Sequence, residues 1–473
     1  MIADLKPYAE YKESGLPWLG QVPGHWVTKR GKSYLVGIDE RSKTGREELL
    51  TVSSARGVVP RSSANVTMFK AESYAGHKLC WPGDLVVNSL WAWAGGLGVS
   101  QHHGIISTAY SVYRSRQSAQ INPWFLHELV RSPAFHWELR VRSKGVWISR
   151  LQLTDTAFLD APIALPPPDE QVAIVRFLDW ANGRLERAIR AKRKVIALLG
   201  EQKQAIIHRA VTRGLDPAAP LKPSGIPWLS DIPQHWEVRR LGHAIRLQTG
   251  FPFASTGFAH GESGTRLLRG INVTPSGIRW DEAVRWQRTP GDGLDEFALE
   301  VGDIALGMDR PIIGSGVRAA TIRESDAPSL LLQRVARLRP ADSLDAKYLL
   351  LLLRGRLFLD YIAPIFTGIS VPHLSPQQIK GFRVPLPPLE EQQDIVGHLE
   401  AETSGLDVAI SRLEREIDLL REYRTRLVAD VVTGKLDVRE AAARLPDEAP
   451  LDMVEQDADL GEAIDSEAAD IEA

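Results

Sequence analysis

One stretch occurs twice in this chain, and the repetition limits the folds open to it. Leu165-Pro166-Pro167-Pro168-Asp169-Glu170-Gln171 recurs as Leu386-Pro387-Pro388-Leu389-Glu390-Glu391-Gln392, an offset of 386 − 165 = 221 residues. The prolines impose an extended entry that neither a strand nor a preceding helix can continue. The acidic residues behind them fall in a first helical turn, where negative charge meets the positive end of the helix dipole. Each copy is therefore a stop followed by a helix start.

Behind each start the residues have the period of a long helix with a narrow apolar stripe. In the second copy Leu406, Ile410, Leu413, Ile417, Leu420, Leu427 and Val431 are spaced alternately four and three apart, with Arg424 in the one gap. In the first, Leu185, Ile189, Ile196, Leu199, Ile206 and Ala210 stand at the matching places, and Lys192 and Lys203 interrupt them. A two-position seam with charges all round is narrower than the face a helix lays on a globular domain. The pattern predicts two helices that bury their stripes against each other; packing of each helix on its own domain is the alternative.

A second repeat precedes the first. Ser14-Gly15-Leu16-Pro17-Trp18-Leu19 and Val22-Pro23-Gly24-His25-Trp26 recur as Ser224-Gly225-Ile226-Pro227-Trp228-Leu229 and Ile232-Pro233-Gln234-His235-Trp236. The glycines and prolines force turns, and the tryptophans pin the segment to a domain surface. After each anchor comes a block of short alternating runs. Leu85-Val86-Val87, Ala109 to Tyr113, Leu267 to Ile271 and Val335 to Leu338 read as strands. Pro82-Gly83-Asp84 and Val301-Gly302-Asp303 are matching turns. A short helix comes next in each block, Asn122 to Val130 and Asp345 to Leu353. Behind it is a glycine loop, Lys144 to Ser149 and Thr367 to Leu374, and then a last strand.

Composition sets the remaining bounds. The 473 residues are 44% hydrophobic and 25% charged, as in a soluble protein of two or more domains. Cys80 is the single cysteine, which rules out an internal disulfide and a thiolate-rich metal cluster. The longest apolar run, Tyr348 to Leu353, is too short for a membrane span, and the start has no signal-type pattern. A cytoplasmic protein with no membrane association is expected. The net charge of −2 hides an asymmetry: from Asp447 onward there are eleven acidic residues and no Lys or Arg, so residues 1–446 carry −2 + 11 = +9. The tail reads as disordered and the body as moderately basic, which suits a nucleic-acid binder.

Catalytic motifs are missing. Gly31-Lys32-Ser33 lacks the earlier glycine of a phosphate loop. Asn122-Pro123-Trp124 lacks the second proline of the Asn-Pro-Pro-aromatic pattern of amino-methyltransferases. No glycine-rich turn sits in a strand–helix unit for a nucleotide or methyl donor. His25, His102, His103 and His235 have no metal-ligand spacing. No catalytic or metal-binding residue is assigned.

The paired helix starts, the paired Pro-Trp-Leu anchors and the order of the halves resemble the specificity subunit of type I restriction–modification systems, over nearly all of residues 10–440. The resemblance implies an α+β fold: two repeated mixed α/β target-recognition domains, separated by two long helices in an antiparallel coiled coil, with pseudo-two-fold symmetry. It places an anchor at 1–26, recognition domain 1 at 27–165, the central helix at 166–212, a linker at 213–236, recognition domain 2 at 237–386, the distal helix at 387–434 and an acidic tail at 435–473. The tail has no counterpart in the family pattern. Each domain would read one half of a bipartite asymmetric site on double-stranded DNA, and the helix pair would set the spacer. Two methyltransferase subunits carrying S-adenosylmethionine are the implied partners, with restriction subunits using ATP and Mg2+ where present. This chain itself would hold no cofactor.

Base readers must be donors on loops that face a groove. The loop candidates in the first half are Arg56, Arg61, Asn65, Lys70, Trp91, Trp93, His102, Lys144 and Trp147. In the second they are Gln248, Arg266, Arg269, Asn272, Arg279, Arg310, Arg318 and His373. Trp91-Ala92-Trp93 beside Gly95-Gly96 stands out as a loop, with core packing as the equal alternative. Two other functions compete: a stand-alone DNA-modifying enzyme with its own recognition domains, and a helical scaffold that binds only proteins.

Overall fold

The same alternating runs build one four-stranded antiparallel sheet in each half of the chain. The computed structural model describes residues 5–63, 73–145, 151–259, 261–314, 316–366 and 372–446. The chain divides into two units, residues 1–192 with 415–473, and residues 193–414. In unit 1 the sheet order is Leu35–Ile38, Tyr110–Ser115, Leu85–Asn88, Leu97–Val99. In unit 2 it is Ile245–Thr249, Val335–Pro340, Ile304–Gly307, Ala319–Thr321.

The matching Gly-Asp turns explain why the two sheets agree. Gly83 and Gly302 both adopt φ +93°, which a side chain would strain. Each turn thereby delivers a buried aspartate to an arginine on the neighbouring strand. Asp84 accepts from Arg114 Nε (2.7 Å) and Nη2 (2.8 Å), and Asp303 accepts from Arg339 Nε (2.7 Å) and Nη2 (2.9 Å). Two-pronged pairing of this kind fixes direction as well as charge.

The units differ away from this sheet. Unit 1 adds two antiparallel pairs, the hairpin Leu50–Ser53 with Gly57–Pro60 and the more distant Lys78–Cys80 with Gly104–Ile106. Unit 2 adds a mixed sheet in the order Val284–Trp286, Thr265–Leu268, Ser329–Leu331, Ala298–Leu299. The strand expected over Leu267 to Ile271 stops at Leu268, and Gly270–Asn272 is a 3-10 turn. The Asn272 side chain is the cause: its Oδ1 accepts from Arg269 N (3.0 Å), a local bond that competes with the ladder.

Nine helices are present among the described residues. In unit 1, α1 is Pro123–Val130, α2 Pro133–Arg142 and α3 Asp155–Leu159. The long α4, Pro168–Arg213, comes after them. In unit 2, α5 is Ala346–Arg354, α6 Arg356–Ile362 and α7 Pro376–Gly381. The long α8, Leu389–Val432, is followed by the short α9, Arg439–Ala443. Asn122 caps α1 through Trp124 N, and Asp345 caps α5 through Tyr348 N, both at 2.9 Å.

The repeated helix start is a clamp. Glu170, 4% exposed, accepts from Tyr8 OH (2.7 Å) and Trp26 Nε1 (2.8 Å), and His25 Nε2 lies 2.7 Å away. Glu391 accepts from Trp236 Nε1 (3.0 Å), with His235 Nε2 at 2.8 Å. The next residue ties down the short helix. Gln171 accepts from Asn122 N (2.7 Å) and donates to Gln120 O and Pro166 O. Gln392 accepts from Asp345 N (2.8 Å) and donates to Ser343 O and Pro387 O. The strand before each start pairs with the strand after each anchor, Pro162–Leu165 with Val27–Arg30 and Arg383–Leu386 with Glu237–Arg240.

Residues 435–446, grouped in the sequence with the acidic tail, are folded. Val438 and Ala442 are buried, Asp437 N donates to Lys6 O (2.8 Å), and Arg176 Nη2 donates to Leu445 O (3.0 Å). The apolar Val438, Ala442 and Leu445 pack on unit 1, so the change in composition at Asp447 is the better sign of where the tail begins. The expectation of disorder for residues 447–473 lies outside the described residues.

Each long helix runs through both units and changes partner on the way. Ile174, Phe177, Leu178 and Ala181 of α4 and Leu427, Val431 and Val432 of α8 belong to the core of unit 1. Ile207, Ala210 and Val211 of α4 and Ile395, Val396 and Leu399 of α8 belong to the core of unit 2. Between these ends the seam is narrow. Leu185, Ile189 and Ile417 are buried, while Ile196, Leu199, Ile206, Leu406, Ile410, Leu413 and Leu420 are half-buried. Leu427 is buried in the unit 1 core as well, because the helix end, unlike its middle, has a domain to pack on.

The three cations that interrupt the seam each meet a carboxylate on the other helix. In unit 1 these pairs are Arg424 with Glu186 and Lys192 with Glu416 (2.5 Å); in unit 2 the pair is Lys203 with Asp407. The residue sums, 186 + 424 = 610, 192 + 416 = 608 and 203 + 407 = 610, mark an antiparallel register. The sequence offset carries one pair onto another: 203 + 221 = 424 and 186 + 221 = 407.

Candidate nucleic-acid interface

In unit 1 the candidate loops are gathered by one arginine. Arg131, at the end of α1, donates through Nη1 to Leu97 O (2.8 Å) and Gly95 O (3.3 Å), and through Nη2 to Ser54 O and Ala55 O (both 2.8 Å). Four carbonyls, from residues 54–55 and from 95–97 where a loop enters strand Leu97–Val99, satisfy one guanidinium that burial pushes below its ordinary pKa. Beside it, burial and the Arg131 charge lower His127 and His136 to about 4. His127 Nδ1 accepts from Val99 N (3.1 Å), as a neutral ring must. Gly57 and Gly98 let the imidazole in, since a Cβ on either would sit 3.1–3.3 Å from its Cε1.

These loops hold Arg56, whose Nη2 donates to Ser63 O (2.8 Å), and Arg61, whose backbone N bonds Leu49 O (2.7 Å). They also hold Trp91 and Trp93, half-buried and stacked with ring centres 5.9 Å apart at 20°. Ala92 between them is buried, and Trp93 Nε1 donates to Leu90 O (3.0 Å). The Trp91–Trp93 segment therefore roots its alanine in the core and leaves both indoles partly at the surface. Leu153 N bonds Ser89 O (2.9 Å), and Lys144 pairs with Gln152, which brings exposed Lys144 to the same side. No Asp or Glu occurs within 54–63, 88–96 or 139–145. His102 lies apart, in a bend held by Ser100. Asn65, Lys70 and Trp147 lie outside the described residues.

In unit 2 the structure removes several candidates from the loops. Asn272 is 2% exposed and donates to Arg279 O (2.9 Å), so it holds a turn. Arg318 is 8% exposed, with Nε donating to Val273 O (3.0 Å) and Nη1 to Asp309 O (3.3 Å). Gln248 and Arg266 are in strands, not loops. Burial lowers the Arg266 pKa, and its guanidinium lies 4.4 Å from the Trp280 ring centre while donating to Ser325 O (2.6 Å). Arg269 donates to Glu282 O (2.6 Å), and exposed Arg279 pairs with Asp281 (2.7 Å).

Arg310 and His373 come together around a residue the sequence did not single out. Asp309 accepts from Arg334 Nη1 (2.6 Å) and lies 2.5 Å from His373 Nδ1. Burial raises this carboxyl, but the bonds from Arg334 and His373 outweigh it and hold its pKa below the usual value. Arg310 is exposed, and its backbone N bonds Pro372 O (2.8 Å). Asp309, Arg334 and Arg131 were missed because nothing local marks them; only the matching position of Arg131 and Arg354 at the ends of α1 and α5 was available as a signal. Arg354 likewise donates to a backbone carbonyl, Ala319 O (2.8 Å), at the start of strand Ala319–Thr321. No group of three or more potential metal ligands occurs among the described residues, and no helix there is long and apolar enough to cross a membrane.

Known proteins share this architecture. The family profile described as type I restriction modification DNA specificity domain matches residues 293–411. The chain is similar to the type I restriction enzyme MjaVIII specificity subunit of Methanocaldococcus jannaschii, 27% identical over 341 residues, 71% of this chain and 75% of that one. It is also similar to the EcoAI specificity subunit of Escherichia coli, 29% identical over 208 residues, 44% of this chain and 34% of the relative. Its fold matches a chain from a structure of the type I R-M system, described in terms of complex assembly and conformational transition. That match has a TM-score of 0.59 at 18% identity and covers 88% of this chain and 99% of the other. With duplicated helix starts, duplicated anchors and a matching four-stranded sheet in each unit, this chain is similar to the specificity subunits of type I restriction–modification systems.

Proposed function

We propose that this chain is the non-catalytic DNA-specificity subunit of a type I restriction–modification complex. Each unit reads one half of a two-part asymmetric site on double-stranded DNA. The single observation that carries this reading is a shared frame with divergent surfaces. The clamp, the Gly-Asp turn with its arginine and the capped short helix are the same in both units, whereas the loops that bear Trp91 and Trp93 or Arg310 and His373 are not. One frame with two faces suits one duplex with two different half-sites. The helix pair sets the spacer and docks two methyltransferase subunits, which bring S-adenosylmethionine; restriction subunits, where present, bring ATP and Mg2+.

The purified chain alone is expected to transfer no methyl group and cut no DNA with S-adenosylmethionine or Mg2+. Co-expressed with its methyltransferase partner, it should yield methylation at one two-part motif. Methylation by the chain alone would overturn the reading, as would partner methylation that ignores the presence of this chain.

A further inference from the structure

The two four-stranded sheets place one loop of each unit at the same structural point. In unit 1 the loop leaves strand Leu85–Asn88, and its first carbonyl, Ser89 O, accepts from Leu153 N (2.9 Å). In unit 2 it leaves strand Ile304–Gly307, and Met308 O accepts from Leu374 N (2.8 Å). Leu153 stands just beyond the first glycine loop and Leu374 at the end of the second. The frame is thus shared and the tips are not: Leu90-Trp91-Ala92-Trp93 against Asp309-Arg310-Pro311 and the short strand Ile312–Ile313 that it leads into.

Both tips present apolar side chains to water. Leu90 is 46% exposed, and Ile312 and Ile313 are 36% and 50% exposed. A single exposed aliphatic residue means little. Here the corresponding segment of each unit carries them, and in unit 2 they follow Arg310, whose neighbour Asp309 is already bound to Arg334 and His373. The backbone gives a separate indication. Three non-glycine residues adopt positive φ among the described residues, and two of them are Arg310 (+43°) in this tip and Arg334 (+68°), which is bonded to it through Asp309. Such conformations persist where surrounding bonds over-determine them, and they cluster at binding sites. The Arg310 N to Pro372 O bond holds one, and the Arg334–Asp309 pair holds the other. The Arg310 guanidinium itself has no hydrogen bond or ion pair among the described residues.

Resting on the DNA-specificity reading, we propose that these two equivalent loops are the base-reading tips of the protein. In unit 2, Arg310 supplies the paired donors for a guanine edge in the major groove, and Ile312 and Ile313 make the apolar contacts that suit a thymine methyl. Asp309, Arg334 and His373 are positioning residues that aim Arg310. In unit 1, Leu90, Trp91 and Trp93 replace the arginine with an apolar contact surface.

The test maps the methylated motif of the chain co-expressed with its methyltransferase, as wild type and as Arg310→Gly, Arg310→Lys and Trp93→Ala. Glycine removes the side chain and relaxes the positive φ, so the loop keeps its path. Arg310→Gly should lower the preference for one guanine by about tenfold or more, in one half-site only. Arg310→Lys should weaken that preference less, and Trp93→Ala should alter the other half-site alone. Where a variant complex methylates nothing, its binding to duplexes with each base pair of the half-site exchanged decides the matter: loss of ranking at one position supports the assignment, and an unchanged ranking overturns it. A two-part wild-type motif that Arg310→Gly and Trp93→Ala both leave intact overturns the loop assignment alone. A wild-type complex with no two-part motif takes down the specificity reading, and the loop assignment with it.

Discussion

At the scale of single residues, the arginines of this protein divide by what surrounds them. Arg131 and Arg318 spend their donors on carbonyls of their own unit, whereas Arg310 is exposed at a loop tip. The Arg131 neighbourhood also makes unit 1 sensitive to acid. His127 and His136 are depressed to about 4 in the folded unit, against about 6.5 for an unfolded chain. Between those values the unfolded state binds more protons, so this stabilisation is complete above about pH 6.5 and is lost as pH falls toward 4. The loss is on the order of 3 kcal/mol per histidine. Glu128, whose carboxyl burial pushes upward, acts in the opposite sense and offsets part of it. Replacing His127 with Gln, which can still accept from Val99 N, should flatten the urea midpoint of unit 1 between pH 6.5 and 4. An unchanged pH slope in the variant would remove this histidine from the account.

At the scale of elements, the two long helices combine two kinds of packing. Their ends lie in domain cores, and their middles form the narrow seam. Ile417 is 5% exposed in that seam, whereas Val408 on the same helix is 69% exposed. Ile417→Glu should therefore cost several kcal/mol by burying a charge without a partner, and Val408→Glu close to nothing. The cross-helix pairs contribute little by comparison. Lys203 and Asp407 are 27% and 54% exposed, so their coupling should be below about 1 kcal/mol. Their role is register: Lys203→Glu with Asp407→Lys should restore what either reversal alone removes. Thermal unfolding of the five variants, the double reversal included, checks both statements, and equal losses for Ile417→Glu and Val408→Glu would contradict the seam.

At the scale of the whole molecule, the proposed ruler function belongs to the helix pair. α4 and α8 have 46 and 44 residues, about 69 and 66 Å of helix at about 1.5 Å per residue. An insertion between Asp179 and Arg184 would strike Ala181 in the unit 1 core. An insertion in one helix alone would also break the antiparallel register. The better test adds seven residues after Lys192 and seven after Glu414, where the chain passes between its units. A heptad preserves the seam and adds about 10 Å. The methylated motif should keep both half-sites and lengthen its spacer by about three base pairs. A fully active protein with an unchanged spacer would show that the helices do not set the distance.

Much of this architecture could be read before any coordinates, because its signals are local and repeated. The helix starts need only prolines and a carboxylate in adjacent positions, and Asn122 and Asp345 announce their helices within three residues. The seam emerges from spacing along a single helix. The bonding partners of those same residues were not legible. Glu170 looked like first-turn charge and is also the acceptor for Tyr8 and Trp26, residues 162 and 144 positions away. The candidate readers show the limit most clearly. Arg310 and Arg318 are eight positions apart, on either side of the short strand pair Ile312–Ile313 and Gly316–Val317, and chemically identical, yet one is exposed and the other holds Val273 O, 45 residues back. An arginine has the same donors whether it satisfies a backbone carbonyl or faces solvent. Only the long-range packing of strands, which brings a distant carbonyl within reach of one and not the other, decides between the two.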